Sequence, residues 1–385
     1  KLAGLERKKI EDELKEIQKL IGELEALLKS RAKIMKVVKT ELMEVADKYG
    51  DDRRTKIVKG GVKQLNPEDL VPDDESVLVL TKGGYVKRTN PSEYKVQKRG
   101  GVGVIDLNTK EEDVVTTLLT TSAHSDLLFF TDAGKVYQSK MYEIPEGRRA
   151  TKGKSIMNFL PLTAEEHVTS VLAVRKDEWD GDWGLMMVTK NGVAKKSDAS
   201  AFKDVRRSGL IAIKLKPDDA LIAARFVGNG DEVSLVTRKG QSIRFKEEDV
   251  REMGRTAAGV AAMKVAKGDR IVSADVLSKG VKDREVLVVT ENGYGKATPA
   301  KEYKVQKRAG SGIKTVKVTT KTGEVVAGII ISEEERKEGE LVIMSKKGQV
   351  IKLPLKQVPT LGRDTQGVKV MKMRPGDQIA SVVFV

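Results

Sequence analysis

Two hydrophobic rhythms divide the chain. Over residues 1–49 the apolar positions Ile10, Leu14, Ile17, Ile21, Leu24 and Leu28 alternate steps of four and three, the seam of a coiled-coil helix flanked by Glu and Lys. Ser30 is placed to cap a second helix, whose stripe runs through Ile34, Val38, Leu42 and Val45, and Gly50 is placed to stop it. From Thr55 onward the rhythm changes to short β-branched runs, at 77–80, 127–130, 185–188, 233–236, 286–289 and 341–344. Each run ends in a four-residue turn, Thr-x-x-Gly in five cases and Ser-x-x-Gly in the last, at 81–84, 131–134, 189–192, 237–240, 290–293 and 345–348. The turn glycines are 50, 58, 48, 53 and 55 residues apart. A second strand is expected after each turn, then a basic loop, then two strands closing the unit, for example 260–265 and 271–277. Four short strands in each of six units predict a mainly β, six-bladed, propeller-like disc over residues 51–385. Ring closure would protect the sheet edges. Residues 1–50 form the helical segment that precedes it.

Charge locates the functional surface. The 385 residues carry 71 Lys and Arg against 56 Asp and Glu, a formal net charge of +15. Residues 1–50 hold 12 basic and 10 acidic side chains, so a net +13 belongs to the β region. A basic β surface implies a polyanionic partner, nucleic acid before acidic membrane. With no Cys, disulfides, thiolate metal sites and cysteine nucleophiles are excluded, and the two His, His124 and His167, make no metal cluster. Both are expected at the surface or in turns. No apolar stretch approaches the roughly 18 residues of a membrane-spanning helix, and no signal peptide is visible. The opening at Lys1, within a helical pattern and without Met, is expected of a piece of a longer cytoplasmic protein.

The basic loops recur in register. The first reads Gln97-Lys98-Arg99-Gly100-Gly101-Val102-Gly103, and the fifth echoes it as Gln306-Lys307-Arg308-Ala309-Gly310-Ser311-Gly312, each after Glu-Tyr-Lys-Val. The others keep an arginine with a glycine soon after: Arg149 to Gly153, Arg206 to Gly209, Arg255 to Gly259 and Arg363 to Gly367. Glycine lets backbone approach a phosphate, and Lys and Arg supply charge, with the guanidinium fork matching phosphate oxygens. Such interactions position nucleic acid without reading its sequence. Candidates after the turns are Lys87, Arg88, Lys135, Lys195, Lys196, Arg244, Lys296 and Lys352. Those in the loops are Lys98, Arg99, Arg148, Arg149, Lys152, Arg206, Arg207, Arg255, Lys307, Arg308 and Arg363.

The heptapeptide and its repeats resemble the carboxy-terminal domain family of the bacterial DNA gyrase A subunit. Its box reads Gln, basic, Arg, Gly, Gly, basic, Gly, and residues 97–103 agree at six of seven places, with Val102 where a basic residue is usual. Gly83-Gly84-Tyr85-Val86-Lys87-Arg88 before the box and Asp51-Asp52-Arg53-Arg54-Thr55 at the junction are similar too, and the helical start looks like the return arm of the family's long coiled coil. The resemblance implies a six-bladed β-pinwheel with strand exchange between blades and duplex DNA bent around its basic rim. It further implies partnership with a second copy of the gyrase A chain and with gyrase B, association with the nucleoid, and ATP-driven negative supercoiling by the holoenzyme, a type IIA topoisomerase. ATP and Mg²⁺ would be used through regions outside this chain. Cleavage in the family uses a tyrosine of a winged-helix domain, and none of the seven Tyr here has a matching motif, so the chain alone is expected to be non-catalytic and to hold no cofactor.

Alternatives remain open on the residues. The corresponding domain of topoisomerase IV would serve to unlink DNA, with weaker wrapping. A propeller scaffold for proteins would expose aromatics and arginine on a disc face. Trp179 and Trp183, in an acidic insertion, are expected to pack between blades two and three, and Glu333-Glu334-Glu335 to form a solvated turn. The seam of the first helix fits either the second helix or an absent arm.

Overall fold

The computed structural model describes residues 2–51, 55, 67–91, 113–148, 151–281 and 283–384. It divides into two units, Lys1–Leu65 and Asn66–Val385. In the first, α1 (Leu2–Leu28) and α2 (Arg31–Tyr49) break at Ser30, which is extended (φ −128°, ψ 106°) but makes no side-chain cap. Gly50 ends α2 with φ −71°, its N–H donating to the Ala46 carbonyl, rather than as a left-handed stop. The seam residues Ile10, Leu14, Ile17, Ile21, Leu24 and Leu28 are all exposed. Among the described residues no helix is long and apolar enough to cross a membrane.

The second unit is a ring of six antiparallel sheets. From the inside outward, blade 1 consists of Val115–Ser122, Glu75–Thr81, Tyr85–Thr89 and Lys154–Ser155. Blades 2 to 5 repeat that order with outermost strands Leu210–Ile211, Val260–Ala261, Ile313–Lys314 and Val368–Lys369. Blade 6 has three strands among the described residues. The innermost strands of successive blades touch all round the circle, and that of blade 6 meets that of blade 1.

Each outermost strand comes from the following repeat. This corrects the expectation that residues 260–265 close their own unit. Only Val260–Ala261 is a strand, and it pairs with Val193 and Ala194 of the preceding blade. The physical cause is the glycine before it. Gly259 takes φ +82°, and a Cβ there would lie 2.6 Å from the Ala194 carbonyl oxygen. The strand can cross to its neighbour only where no side chain intervenes.

The turns are built alike. Each glycine N–H closes onto the carbonyl of the Thr or Ser three residues earlier, with φ between +75° and +83° at the glycine. The hydroxyls of Thr81, Thr189, Thr237 and Ser345 accept from the N–H four residues on. The strand before each turn presents its two faces to the neighbouring blades and is buried almost throughout, as in Asp126–Thr131. Leu78 and Leu80 thus meet Leu127 and Phe129, and four further cores of this kind follow around the ring. The sixth closes it: Val77 and Val79 of blade 1 pack with Met344 and Val383 of blade 6, and the Ser381 hydroxyl donates to the Val115 carbonyl at 2.6 Å.

Trp179 is buried in the core between blades 2 and 3, as expected, its indole N–H donating to Asp126 at 2.9 Å. Trp183 lies at the edge of that interface, lining a cavity with Ala173, Trp179 and Phe226, and is 46% exposed. Residues 333–335 are solvated at Glu333 and Glu334, but in place of a turn they open the short helix α3 (Glu333–Glu338), with Ser332 and Glu335 forming a reciprocal capping box. His167 is exposed just before the strand Val168–Val174, and the half-buried His124 reaches the Val71 carbonyl.

Candidate nucleic-acid interface

The outer edge of the ring carries the basic loops, and their glycines and arginines are first of all structural. The glycine closing each loop is left-handed at Gly153, Gly209, Gly259, Gly312 and Gly367. A Cβ at any of them would stand 2.5–2.8 Å from the strand or ring beneath. In three of these loops the arginine four residues earlier ties the loop to neighbouring backbone. Arg308 donates to the carbonyls of Asp249 and Ala261, both at 2.9 Å. Arg363 donates to the Lys314 carbonyl at 2.6 Å, and Arg255 reaches the Ala201 carbonyl at 3.4 Å. The loops are then stitched to one another through backbone. The N–H of Lys214 donates to Ala257, that of Lys264 to Gly310, and that of Lys317 to Thr365. Four successive loops thereby become one continuous ribbon.

The strand after each turn divides its cations by position. The third residue after the turn glycine is lysine in blades 1, 3 and 5, and all three are buried. Lys87 donates to the carbonyls of Arg148 and Thr151 at 3.2 and 3.1 Å. Lys195 donates to those of Ala212 and Arg255. Lys296 donates to Gly362 and Arg363 at 2.6 and 2.5 Å, and to the Thr365 hydroxyl at 3.1 Å. Each ammonium is a clamp under the incoming loop. Burial lowers the pKa of Lys195 to about 8, with the Arg255 charge adding to the effect, and burial likewise lowers that of Lys296 to about 8. This corrects the placing of Lys87, Lys195 and Lys296 on the solvent-facing rim: their charge is spent on carbonyls beneath it.

The fourth residue after the glycine, where it is cationic, is half-buried in blades 1, 3 and 4 and exposed in blade 6, and is mostly paired with acid. Lys196 meets the buried Glu247 at 2.5 Å. Arg244 pairs with Glu232 and donates to the Ala300 carbonyl at 2.7 Å. Arg88 reaches the Ile144 carbonyl at 3.4 Å and lies 4.0 Å from Glu146. Lys352 pairs with Glu340 at 2.5 Å. Lys135, one position after its glycine, lies 3.8 Å from Glu166.

What remains free projects from the loops. Arg148, Arg206 and Arg207 are exposed without a side-chain partner among the described residues. Lys307 is exposed, 3.2 Å from Asp249, and Lys152 lies 3.7 Å above the Tyr85 ring. Residues 97–103 and Arg149 lie outside the described residues.

A second cation series escaped the sequence reading. Five residues beyond the left-handed glycine stand Lys214, Lys264, Lys317 and Lys372, with Asn158 at the equivalent place in the second repeat. All four lysines are exposed, without a side-chain partner among the described residues. They are 50, 53 and 55 residues apart, each between two apolar residues, as in Ile213-Lys214-Leu215 and Met371-Lys372-Met373. That apolar–Lys–apolar triplet, at a fixed distance from a glycine, was the available signal.

The chain's repeats match a family model described as the DNA gyrase C-terminal domain, beta-propeller, at residues 75–122, 125–175, 185–227, 231–278, 284–332 and 339–385. The A subunit of DNA gyrase from Staphylococcus epidermidis (strain ATCC 12228 / FDA PCI 1200) is 40% identical over 385 residues, all of this chain and 42% of that protein. The chain thus spans under half the length of that curated relative. A solved DNA gyrase A C-terminal domain superposes with TM-score 0.67 at 28% identity, covering 80% of this chain and 99% of its own. The C-terminal domain of a DNA topoisomerase IV shares the fold, with TM-score 0.66 at 24% identity, covering 82% and 94%.

Proposed function

Since the chain belongs to the DNA gyrase C-terminal β-propeller family, we propose that its propeller binds duplex DNA and wraps it around the outer ribbon. The observation that carries this is the exposed lysine repeated at Lys214, Lys264, Lys317 and Lys372 along loops stitched into one band. A curved band of unpaired ammonium groups meets successive phosphates without reading bases. Bending DNA by 40–90° over 20–30 base pairs costs on the order of 1–6 kcal/mol, which many such ion pairs offset. Arg148, Arg206, Arg207 and Lys307 extend the band. The box at residues 97–103 is assigned to the same path by its resemblance alone.

In the whole protein, paired with a second copy of the gyrase A chain and with gyrase B, this wrap presents a DNA segment for ATP-driven negative supercoiling in the cytoplasm. Cleavage, ATP hydrolysis and Mg²⁺ binding belong to other parts of that assembly. A protein scaffold fits less well: among the described propeller residues the only strongly exposed aromatic is Trp183.

The test is topological. Relaxed circular DNA is incubated with the chain, nicked and resealed by a ligase, and its linking number is compared with a control. A positive shift that disappears when Lys214, Lys264, Lys317 and Lys372 become glutamine is expected. DNA binding with no shift would contradict chiral wrapping, and no binding at low salt would contradict the interface.

A further inference from the structure

The ring has a second cationic feature, away from the rim. The residue after each turn Thr or Ser is Lys82, Asp132, Lys190, Arg238, Glu291 and Lys346 in blades 1 to 6. All of these but Asp132 lie around one opening at the turn ends of the inner strands. A cavity of about 470 Å³ opens there, lined by five cations, Lys82, Lys190, Arg238, Arg270 and Lys346, and one carboxylate, Glu291. Its floor is apolar: Ile222, Val272, Val326 and Ala380, the second residues of four inner strands.

Asp113, Asp219, Asp269 and Asp377, outside the lining, accept backbone N–H bonds in the turns. Glu291 lies 3.2 Å from Arg238, which also pairs with Glu324. Asp132 accepts from the His167 N–H at 2.9 Å. Lys82, Lys190 and Arg270 have no side-chain partner among the described residues, and Lys346 donates only to the Gln378 amide oxygen, at 2.7 Å. The strands that lead into the turns begin, at their far ends, with Glu75, Asp126, Glu232, Glu285 and Glu340, and four of these are paired with cations, Lys140, Arg244, Arg336 and Lys352. Within the lining of this cavity cations outnumber carboxylates five to one, and apolar walls concentrate their field.

We propose that this funnel binds a compact polyanion, a condensed phosphate chain of about three phosphates. The cations of the lining come from blades 1, 3, 4 and 6, and a triphosphate chain presents several charges to such a spread of cationic groups where a single phosphate presents one. Duplex DNA is too wide to enter the cavity, so this site is separate from the wrapping band. The source is a free polyphosphate or the tail of a nucleoside triphosphate, which share this chemistry.

The experiment is calorimetric titration of the chain with inorganic tripolyphosphate. Two variants are compared: one with Lys82, Lys190 and Lys346 changed to Gln, the other with Lys214, Lys264, Lys317 and Lys372 changed to Gln. One saturable site is expected, with affinity at least about tenfold weaker in the first variant and unchanged in the second. An unshifted thermal midpoint in both variants excludes unfolding as the cause. Titration with ATP then separates the sources: affinity equal to that of tripolyphosphate assigns a nucleotide tail, and much weaker binding assigns a free chain. No saturable binding, or loss only in the second variant, would overturn the proposal.

Discussion

Blades 1, 3 and 5 and blades 2 and 4 hold the same kind of loop by different means. In the odd blades a buried lysine donates to loop carbonyls, and in each a loop residue also bridges the neighbouring strand position in parallel, as Glu146 does with Arg88 and Glu252 with Lys196. In the even blades the third position is Tyr137 or Ile243, both buried in inter-blade cores. There the loop is held by side chains one place further on. Gln138 donates to Lys203 at 3.1 Å and accepts from the Val205 N–H at 2.8 Å, and Arg244 reaches Ala300 and Tyr303. A cation in a basic repeat therefore has no fixed meaning. One register place inward it holds the fold; on the outer ribbon it is free for a polyanion.

The largest effects should come from the packed seats. Ile243→Ala is expected to cost about 2–5 kcal/mol in chemical denaturation. Lys195→Ala strands two loop carbonyls and should cost about 1–3 kcal/mol. A Lys195→Ala loss equal to that of an exposed lysine would break the contrast. The glycine crossing is shared by both kinds of blade, so Gly259→Ala and Gly312→Ala should destabilise alike, by about 2–3 kcal/mol, through positive φ and a Cβ against backbone. A large difference between them would mean that the seats, not the crossing, control strand exchange.

The smallest effect is a pH dependence that runs one way in blades 3 and 5 and the other way in blade 2. An unfolded lysine titrates near about 10.4, whereas burial lowers the pKa of Lys195 and of Lys296 to about 8. Between those values the unfolded chain holds protons that the native chain has released, so stability rises with pH through the window. The Tyr137 hydroxyl, its pKa raised to about 12 chiefly by burial and also by Glu166, works only above the ordinary tyrosine range. There the unfolded chain loses a proton that the native chain keeps, so stability falls as pH rises. From pH 7 to 10 the wild-type chain should gain stability relative to a Lys195→Met, Lys296→Met variant. Parallel curves would show that the two ammonium groups stay charged.

Much of the architecture was legible. The Thr-x-x-Gly turns set the number of blades because each needs a left-handed glycine, and four of the six a hydroxyl acceptor as well, both local demands. Strand exchange was legible only through the family resemblance, since an apolar run such as 260–265 carries no mark of which sheet it joins. That choice is made by Gly259 against Ala194, residues distant in the chain that meet only in the folded ring. Lys195 and Lys196 look equivalent in sequence, yet one is buried under a loop and the other pairs with Glu247. The lysine series from Lys214 to Lys372 was hidden for the opposite reason: its apolar neighbours read as strand and mask the charge between them.

The most direct test is the salt dependence of DNA affinity in two variants. Changing Lys214, Lys264, Lys317 and Lys372 to Gln should lower the slope of log affinity against log salt by about 0.9 for each phosphate no longer neutralised. Lys195→Met, which removes a charge from beneath the ribbon, should leave the slope unchanged. A slope that stays constant in the first variant, or falls in the second while the fold is intact, would contradict the division of the lysines into those that hold the ring and those that meet DNA.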